Sequence, residues 1–252
     1  VQDQADALFT WDYEKGSRPR LDRLYEKAKV SQWNAQTDLD WSIDVDPLKA
    51  FSIFTESSNV NTGHWTEHPD SPAINWGDKE WDQFSVESFA WRLSQFLHGE
   101  QGALLCTAKI VETVPWIDAK YYAATQVVDE ARHVEVFNKY IDEKVGVRYP
   151  VNPHLQLLID DIINDSRWDM TYLGMQIMVE GLALAAFGLM HQVTTEPLLK
   201  KLLRYVMADE ARHVAFGVLS LQEVYQDMTA QEVRERQEFA FEAGIRMRDR
   251  LL

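Results

Sequence analysis

The pentapeptide Asp-Glu-Ala-Arg-His stands twice in the chain, at 129–133 and again at 209–213. Each copy holds a Glu-x-x-His pair, Glu130 with His133 and Glu210 with His213. On a helix, side chains three positions apart leave by the same face, so a carboxylate and an imidazole at that spacing can grip one metal ion together. Two such pairs can grip two. A two-metal site inside a four-helix bundle then needs two further carboxylates, one from each remaining helix. Glu100, in Phe-Leu-His-Gly-Glu-Gln-Gly-Ala-Leu-Leu, and Glu180, in Ile-Met-Val-Glu-Gly-Leu-Ala-Leu-Ala, meet that need. Glu100 precedes Glu130 by 30 residues, as Glu180 precedes Glu210. The constant offset of 80 residues between the two half-sites reads as the duplication of a helical hairpin.

The surroundings of the two single glutamates have the polarity of a core. One and two turns from Glu100 stand Leu93, Phe96, Leu97, Ala103, Leu104 and Thr107; from Glu180, Leu173, Gln176, Ile177, Ala183, Leu184 and Phe187. An ionised carboxylate on such a face costs several kcal/mol unless it is paired or metal-bound. Asp129 and Asp209, one residue before each paired glutamate, are expected to accept the second ring N–H of the histidine of the opposite repeat, Asp129 from His213 and Asp209 from His133. Arg132 and Arg212 would balance those two aspartates. Four carboxylates and two imidazoles form an oxygen-rich, hard-to-borderline donor set, which suits iron or manganese better than structural zinc.

The elements that must position these residues are helical. Apolar periodicity predicts helices near 80–113, 116–145, 153–164, 167–192, 197–226 and 229–250, with a shorter one around 19–30. Pro115, Pro150, Pro153 and Pro197 fall at the breaks; Asp118 is expected to cap the second long helix, and Thr195 or Glu196 the helix that starts at Pro197. No stretch alternates like a strand. Residues 1–80, with Pro19, Pro47, Pro69 and Pro72, are expected to wrap as an irregular segment on a bundle formed by 81–252. The formal charge of −15, without a basic cluster, argues against nucleic acid and anionic membrane surfaces as partners. No apolar run is expected to span a bilayer, since Gln176 and Glu180 interrupt the best candidate, 173–190. The single cysteine, Cys106, excludes an intrachain disulfide and fits a cytoplasmic protein.

The order Glu100…Glu130-x-x-His133…Glu180…Glu210-x-x-His213 resembles that of the ferritin-like non-haem diiron carboxylate superfamily. Within it, the chain is similar to the oxygen-activating branch: multicomponent monooxygenase hydroxylases, acyl-carrier-protein desaturases, ribonucleotide reductase radical subunits and arylamine N-oxygenases. The resemblance covers roughly residues 85–225. It implies an all-α fold, a ferritin-like four-helix bundle with additional helices, and two iron ions per chain, with Mn/Fe as the other option. The metal ligands it implies are Glu100, Glu130, His133, Glu180, Glu210 and His213, the four glutamates being the catalytic carboxylates. It departs from the radical subunits at Phe137, where they keep a tyrosine, and from the N-oxygenases at Val206, where they carry a further histidine.

The expected function is an O2-dependent oxidation, hydroxylation or N-oxygenation, of a small apolar or aromatic substrate lodged near Phe96, Phe137, Phe187, Leu104 and Leu184. Small residues beside the ligands (Gly99, Gly102, Ala103, Gly181 and Ala183) leave room for it or for close helix packing. No dinucleotide fingerprint or cysteine cluster is present, so electrons are expected from a separate ferredoxin or flavin reductase. A homodimer is expected. The competing class is an iron-oxidising storage protein similar to ferritin or rubrerythrin.

Overall fold

The computed structural model describes residues 11, 13–50 and 67–250, and every regular element among them is helical. Helix α1 is Pro19–Val30. Two single turns, Pro47–Ala50 and Pro72–Asn75, follow it. The long elements are α2 (Asp78–Thr113), α3 (Ile117–Tyr140), α4 (Pro153–Asn164), α5 (Trp168–Val193), α6 (Pro197–Val224) and α7 (Ala230–Arg250). Pro153 and Pro197 each open a helix, where a missing N–H removes nothing the helix would use. Glu196 is the cap of α6: its carboxylate accepts from the backbone N–H of Leu198 at 2.8 Å and Leu199 at 2.6 Å.

Three residues join α2 to α3, and three join α5 to α6, so each pair folds back as an antiparallel hairpin. The two hairpins pack together through α3 and α6, and α4 carries the chain between them. This is the expected ferritin-like bundle. Helices α4 and α7 cover one flank against α2 and α5, while α1 lies across α3 and α6. Two π segments interrupt the regular helices. One, Ile141–Val145, ends α3 and stops at Gly146, whose φ of 80° suits a residue without Cβ. The other, Tyr172–Val179, lies inside α5 immediately before Glu180; such segments concentrate at functional sites.

Two expectations need correction. Asp118 does not cap α3, whose N-cap position is Trp116. Its carboxylate instead accepts from the Gly16 N–H (2.8 Å), the Ser17 hydroxyl (3.0 Å) and the Arg18 N–H (2.8 Å), fastening the chain ahead of α1 to the bundle. Burial alone would raise this carboxyl, but those donors outweigh it and hold it below the usual 3.8. Helix α5, Trp168–Val193, is also long and apolar enough by length and composition to cross a membrane. In the fold it is a bundle helix, carrying buried Gln176 and Glu180 towards the centre and packing on α6.

Candidate metal centre

The six residues picked out by spacing converge. Ligand-type atoms of Glu100, Glu130, His133 and Glu210 lie within 4.8 Å of one another, and so do those of Glu130, Glu180 and His213. Glu130 belongs to both groups, which makes two adjacent cation-sized sites sharing a carboxylate. All six residues are buried. His133 Nδ1 lies 3.3 Å from Glu130 and Glu100 and 3.1 Å from Glu210. His213 Nδ1 lies 3.2 Å from Glu130, 3.4 Å from Glu210 and 3.7 Å from Glu180.

The opposite ring nitrogens point at the aspartates, crossed as expected. His133 Nε2 donates to Asp209 Oδ2 at 3.2 Å, and His213 Nε2 to Asp129 Oδ2 at 3.3 Å. This arrangement leaves each Nδ1 lone pair free for a cation and fixes the ring orientation. Arg132 Nη2 bridges Asp129 (2.5 Å) and Asp209 (2.9 Å), while Arg212 donates to both as well. Burial works against the charge on these two aspartates, yet the histidines and the arginines hold both below the usual carboxylate range.

Two members of this box escaped sequence reasoning. The Trp33 indole N–H donates to Asp209 at 2.8 Å, and the Gln32 amide donates to Asp129 at 2.9 Å while accepting from Arg132 at 2.6 Å. Both follow α1 and lie about a hundred residues or more from their partners. Only the tryptophan-rich composition of the segment hinted at such a role. His98, two residues before Glu100, contacts the Tyr149 carbonyl at 2.9 Å.

Charge decides what the cluster can hold. Burial pushes the Glu100 carboxyl well above its usual value, and burial together with the nearby Glu210 pushes Glu180 up to about 8. Glu210 stays low despite burial, because Glu180 hydrogen-bonds to it and His213 lies beside it. Burial disfavours charge on the imidazoles, but Glu100 facing His133 and Glu130 and Glu210 facing His213 raise both well above the usual range. Protons alone would have to neutralise this cluster. Two divalent cations do so without them: four carboxylates against two dications sum to zero, as do the two aspartates against the two arginines. Glu130 Oε2 and Glu210 Oε1 make no hydrogen bond, which leaves them available to a cation. The donor set therefore fits a pair of iron or manganese ions.

One side of the cluster opens into a cleft of about 700 Å³, mouth included, between α2, α4, α5 and α7. Glu100 and Glu180 form its floor, and Phe96, Phe187, Leu155 and Leu182 are among its apolar walls. Phe96 and Phe187 thus line it as expected, and Gly99, Ala103 and Ala183 give it room. Phe137 stands behind, its ring stacked on Phe187 at 5.5 Å. Leu104 and Leu184 are not lining residues, because four positions past each ligand glutamate a side chain is turned roughly 40° to one side of it, whereas Ala103 and Ala183, three positions past, are turned roughly 60° to the other side, where the cleft lies. Gly102 serves packing instead, with Ile159 seated where a Cβ would be.

The family described as P-aminobenzoate N-oxygenase AurF matches residues 14–249. The chain belongs to this family. The AurF-family chain is accordingly an O2-dependent oxidoreductase built around a dinuclear metal site. No curated protein matches it significantly. Among solved structures, 38 chains match. One is an R2-like ligand-binding oxidase variant with an aerobically reconstituted Mn/Fe cofactor, at TM-score 0.66 and 20% identity, covering 95% of this chain and 83% of that one. Another variant of that oxidase, with an anaerobically reconstituted Mn/Fe cofactor, gives TM-score 0.66 and 17% identity over 95% of this chain and 86% of the other. At such identities the likeness is one of fold. The position at which the N-oxygenases were expected to carry a further histidine is Val206, fully buried among apolar side chains.

Proposed function

We propose that Glu100, Glu130, His133, Glu180, Glu210 and His213 hold two metal ions, Fe/Fe or Mn/Fe, and that the chain uses them to oxygenate a small, neutral, apolar or aromatic molecule at a C–H or N–H bond. When bound, the metals supply the electrons that activate O2. The protein's own work is to seat the substrate against Glu100 and Glu180, exclude bulk water with Phe96 and Phe187, and hold His133 and His213 in one tautomer through Asp209 and Asp129. The apolar cleft ending on two of the six donors carries this reading. An iron-storage protein needs a route for hydrated cations, whereas this opening is walled by leucine, phenylalanine and alanine. Electrons come from a separate ferredoxin or flavin reductase, the working unit is a homodimer, and the reaction takes place in the cytoplasm.

The family name points to an arylamine bearing a carboxylate. None of the described residues lining the cleft is Lys, Arg or His. The amide of Gln95 is already engaged, donating to the Pro150 carbonyl and accepting from the Asn152 N–H. A buried carboxylate would find no cationic partner there, and at most the second N–H of the neutral Gln95 amide. Neutral arylamines and alkylbenzenes should therefore turn over, and p-aminobenzoate should be at least tenfold poorer in kcat/KM; a preference for the acid would refute the neutral-substrate reading.

The ligand set is tested directly. Glu130→Ala should bind fewer than the wild-type two metals per chain and lose the O2-dependent absorption change, with its helical circular dichroism retained. Unchanged metal content and reactivity would refute the assignment. A large shell that accumulates iron would refute the oxygenase class.

A further inference from the structure

The bundle interior differs in polarity on the two sides of the six-residue cluster. Towards one end the neighbouring turns carry Phe96, Phe137, Phe187 and Val206. Towards the other, all four bundle helices present buried polar side chains: Thr107 on α2, Tyr122 and Gln126 on α3, Tyr172 and Gln176 on α5, and Ser220 on α6. None is more than 1% exposed. The hydroxyls of Thr107 and Tyr122, the Gln126 carbonyl and both amide atoms of Gln176 lack any protein hydrogen-bond partner, and the hydroxyls of Tyr172 and Ser220 have at most each other. The antiparallel hairpins place these six on one side: α2 runs away from Glu100 to Thr107 as α3 runs from Tyr122 towards Glu130, and in the second hairpin the directions are exchanged, α5 running from Tyr172 towards Glu180 and α6 away from Glu210 to Ser220.

Together the six span the distance from the cluster to the bundle end. At the inner end, the Gln126 amide donates to Glu130 at 2.9 Å and to Glu180 at 3.2 Å. Gln176 sits in the π segment, so close to α6 that a Cβ on Gly217 would lie 2.6 Å from its own Cβ. The Tyr122 and Tyr172 rings flank Phe216 at 4.4 and 5.0 Å, and the Tyr172 hydroxyl lies beside that of Ser220. At the outer end the Tyr225 hydroxyl, also without a hydrogen-bond partner, lies within electrostatic reach of Asp169 and Arg236. That ion pair, at 2.9 Å, continues through Arg236 to half-exposed Glu235.

Native interiors satisfy roughly 90% or more of such groups, using ordered water where the protein offers no partner. A whole column of exceptions, drawn from four helices and ending on the cluster, would cost as much as a domain's net stability. We propose that Thr107, Tyr122, Gln126, Tyr172, Gln176 and Ser220 hold a file of ordered water that carries protons from the Asp169–Arg236 end of the bundle to the carboxylates Glu130 and Glu180.

This rests on the oxygenase reading above, whose chemistry consumes protons. In RH + O2 + 2e− + 2H+ → ROH + H2O, a reductase protein supplies the electrons, one oxygen atom enters the substrate and the other leaves as water. The apolar cleft cannot deliver those protons; the polar column can, so substrate and protons reach the cluster from different sides.

The test begins with the metal-free protein, in a crystal structure fine enough to place water. Ordered waters bonded to Gln176, Thr107, Tyr172 and Ser220 are expected, and a dry column overturns the proposal. Gln176→Leu and Thr107→Val should then change the melting temperature little, since each removes a polar group that only water partners. Both should keep the wild-type metal content, slow O2-driven oxidation of the reduced protein about tenfold, and enlarge its solvent deuterium isotope effect. Wild-type rates and isotope effects in both variants overturn the proposal. Lower stability with unaltered isotope effects overturns it too, showing the side chains to be packing only. A wild-type protein that bound no metal would instead refute the metal-centre reading, a result the metal titration reads separately from the water positions.

Discussion

At the residue scale, the two pentapeptides carry both the donors and the groups that orient them. Glu130 and His133 share a helical face with each other, while Asp129 and Arg132 leave by the adjacent face and meet their counterparts from the second copy. Spacing alone therefore anticipated the crossed pairs His133–Asp209 and His213–Asp129. Asp209 accepts from His133, Trp33, Arg132 and Arg212, as Asp129 does from His213, Gln32, Arg132 and Arg212. Asp209→Asn keeps its shape but removes the charge that two buried guanidiniums require. Loss of one member of a buried ionic set costs about 3–5 kcal/mol, and loss of a carboxylate behind a ligand histidine weakens metal binding by roughly 10–100-fold. Urea denaturation and metal titration of the variant should show both effects. A variant as stable as the wild type would refute the charge-balancing role of Asp209.

Helix boundaries, at the scale of elements, were legible because proline and apolar periodicity act locally; α4 and α6 begin at the prolines that mark them. The π segment before Glu180 had no such signal, since it arises from fitting α5 against α6 and α7 rather than from composition. Asp118 shows the same limit. A carboxylate in the first turn of a helix reads as a cap, yet the stronger donors came from residues 16–18. Its pH dependence follows from its depressed pKa: the folded value lies below the unfolded one, so the stabilisation is full above the unfolded value near 3.8 and disappears as pH falls through the folded value. The protection factors of the Gly16 and Arg18 amides should stay high at pH 6 and fall as the pH drops below about 3.8. Asp118→Ala should lose about 2 kcal/mol and expose those amides at every pH, with metal content unchanged. Equal protection in wild type and variant would contradict the anchoring role.

On the scale of the whole molecule, the bundle gathers at its centre four carboxylates that either protons or cations must neutralise, so metal occupancy and folding are linked. A pair of cations bound at about a thousand times their Kd stabilises the native state by about 4 kcal/mol per site. At this size, 1 kcal/mol moves the melting temperature by roughly 2–4 °C. Stripping the metals with a chelator should therefore lower it by at least roughly 10 °C, and restoring Fe(II) or Mn(II) should recover it. Equal melting temperatures with and without metal would show that protons balance the cluster instead.

The chain itself determined which side chains converge at the bundle centre, because a three-residue spacing on a helix fixes a shared face whatever surrounds it. It also determined the helical class and the duplicated hairpin, since both recur as local pattern. Tertiary structure alone decided that Trp33 and Gln32 close the aspartate box, that Phe96 and Phe187 but not Leu104 or Leu184 face the cleft, and that polar groups from four helices fall in one column. Those outcomes depend on how far each helix rotates and slides against its neighbours, and packing sets that rotation across a hundred residues of intervening chain.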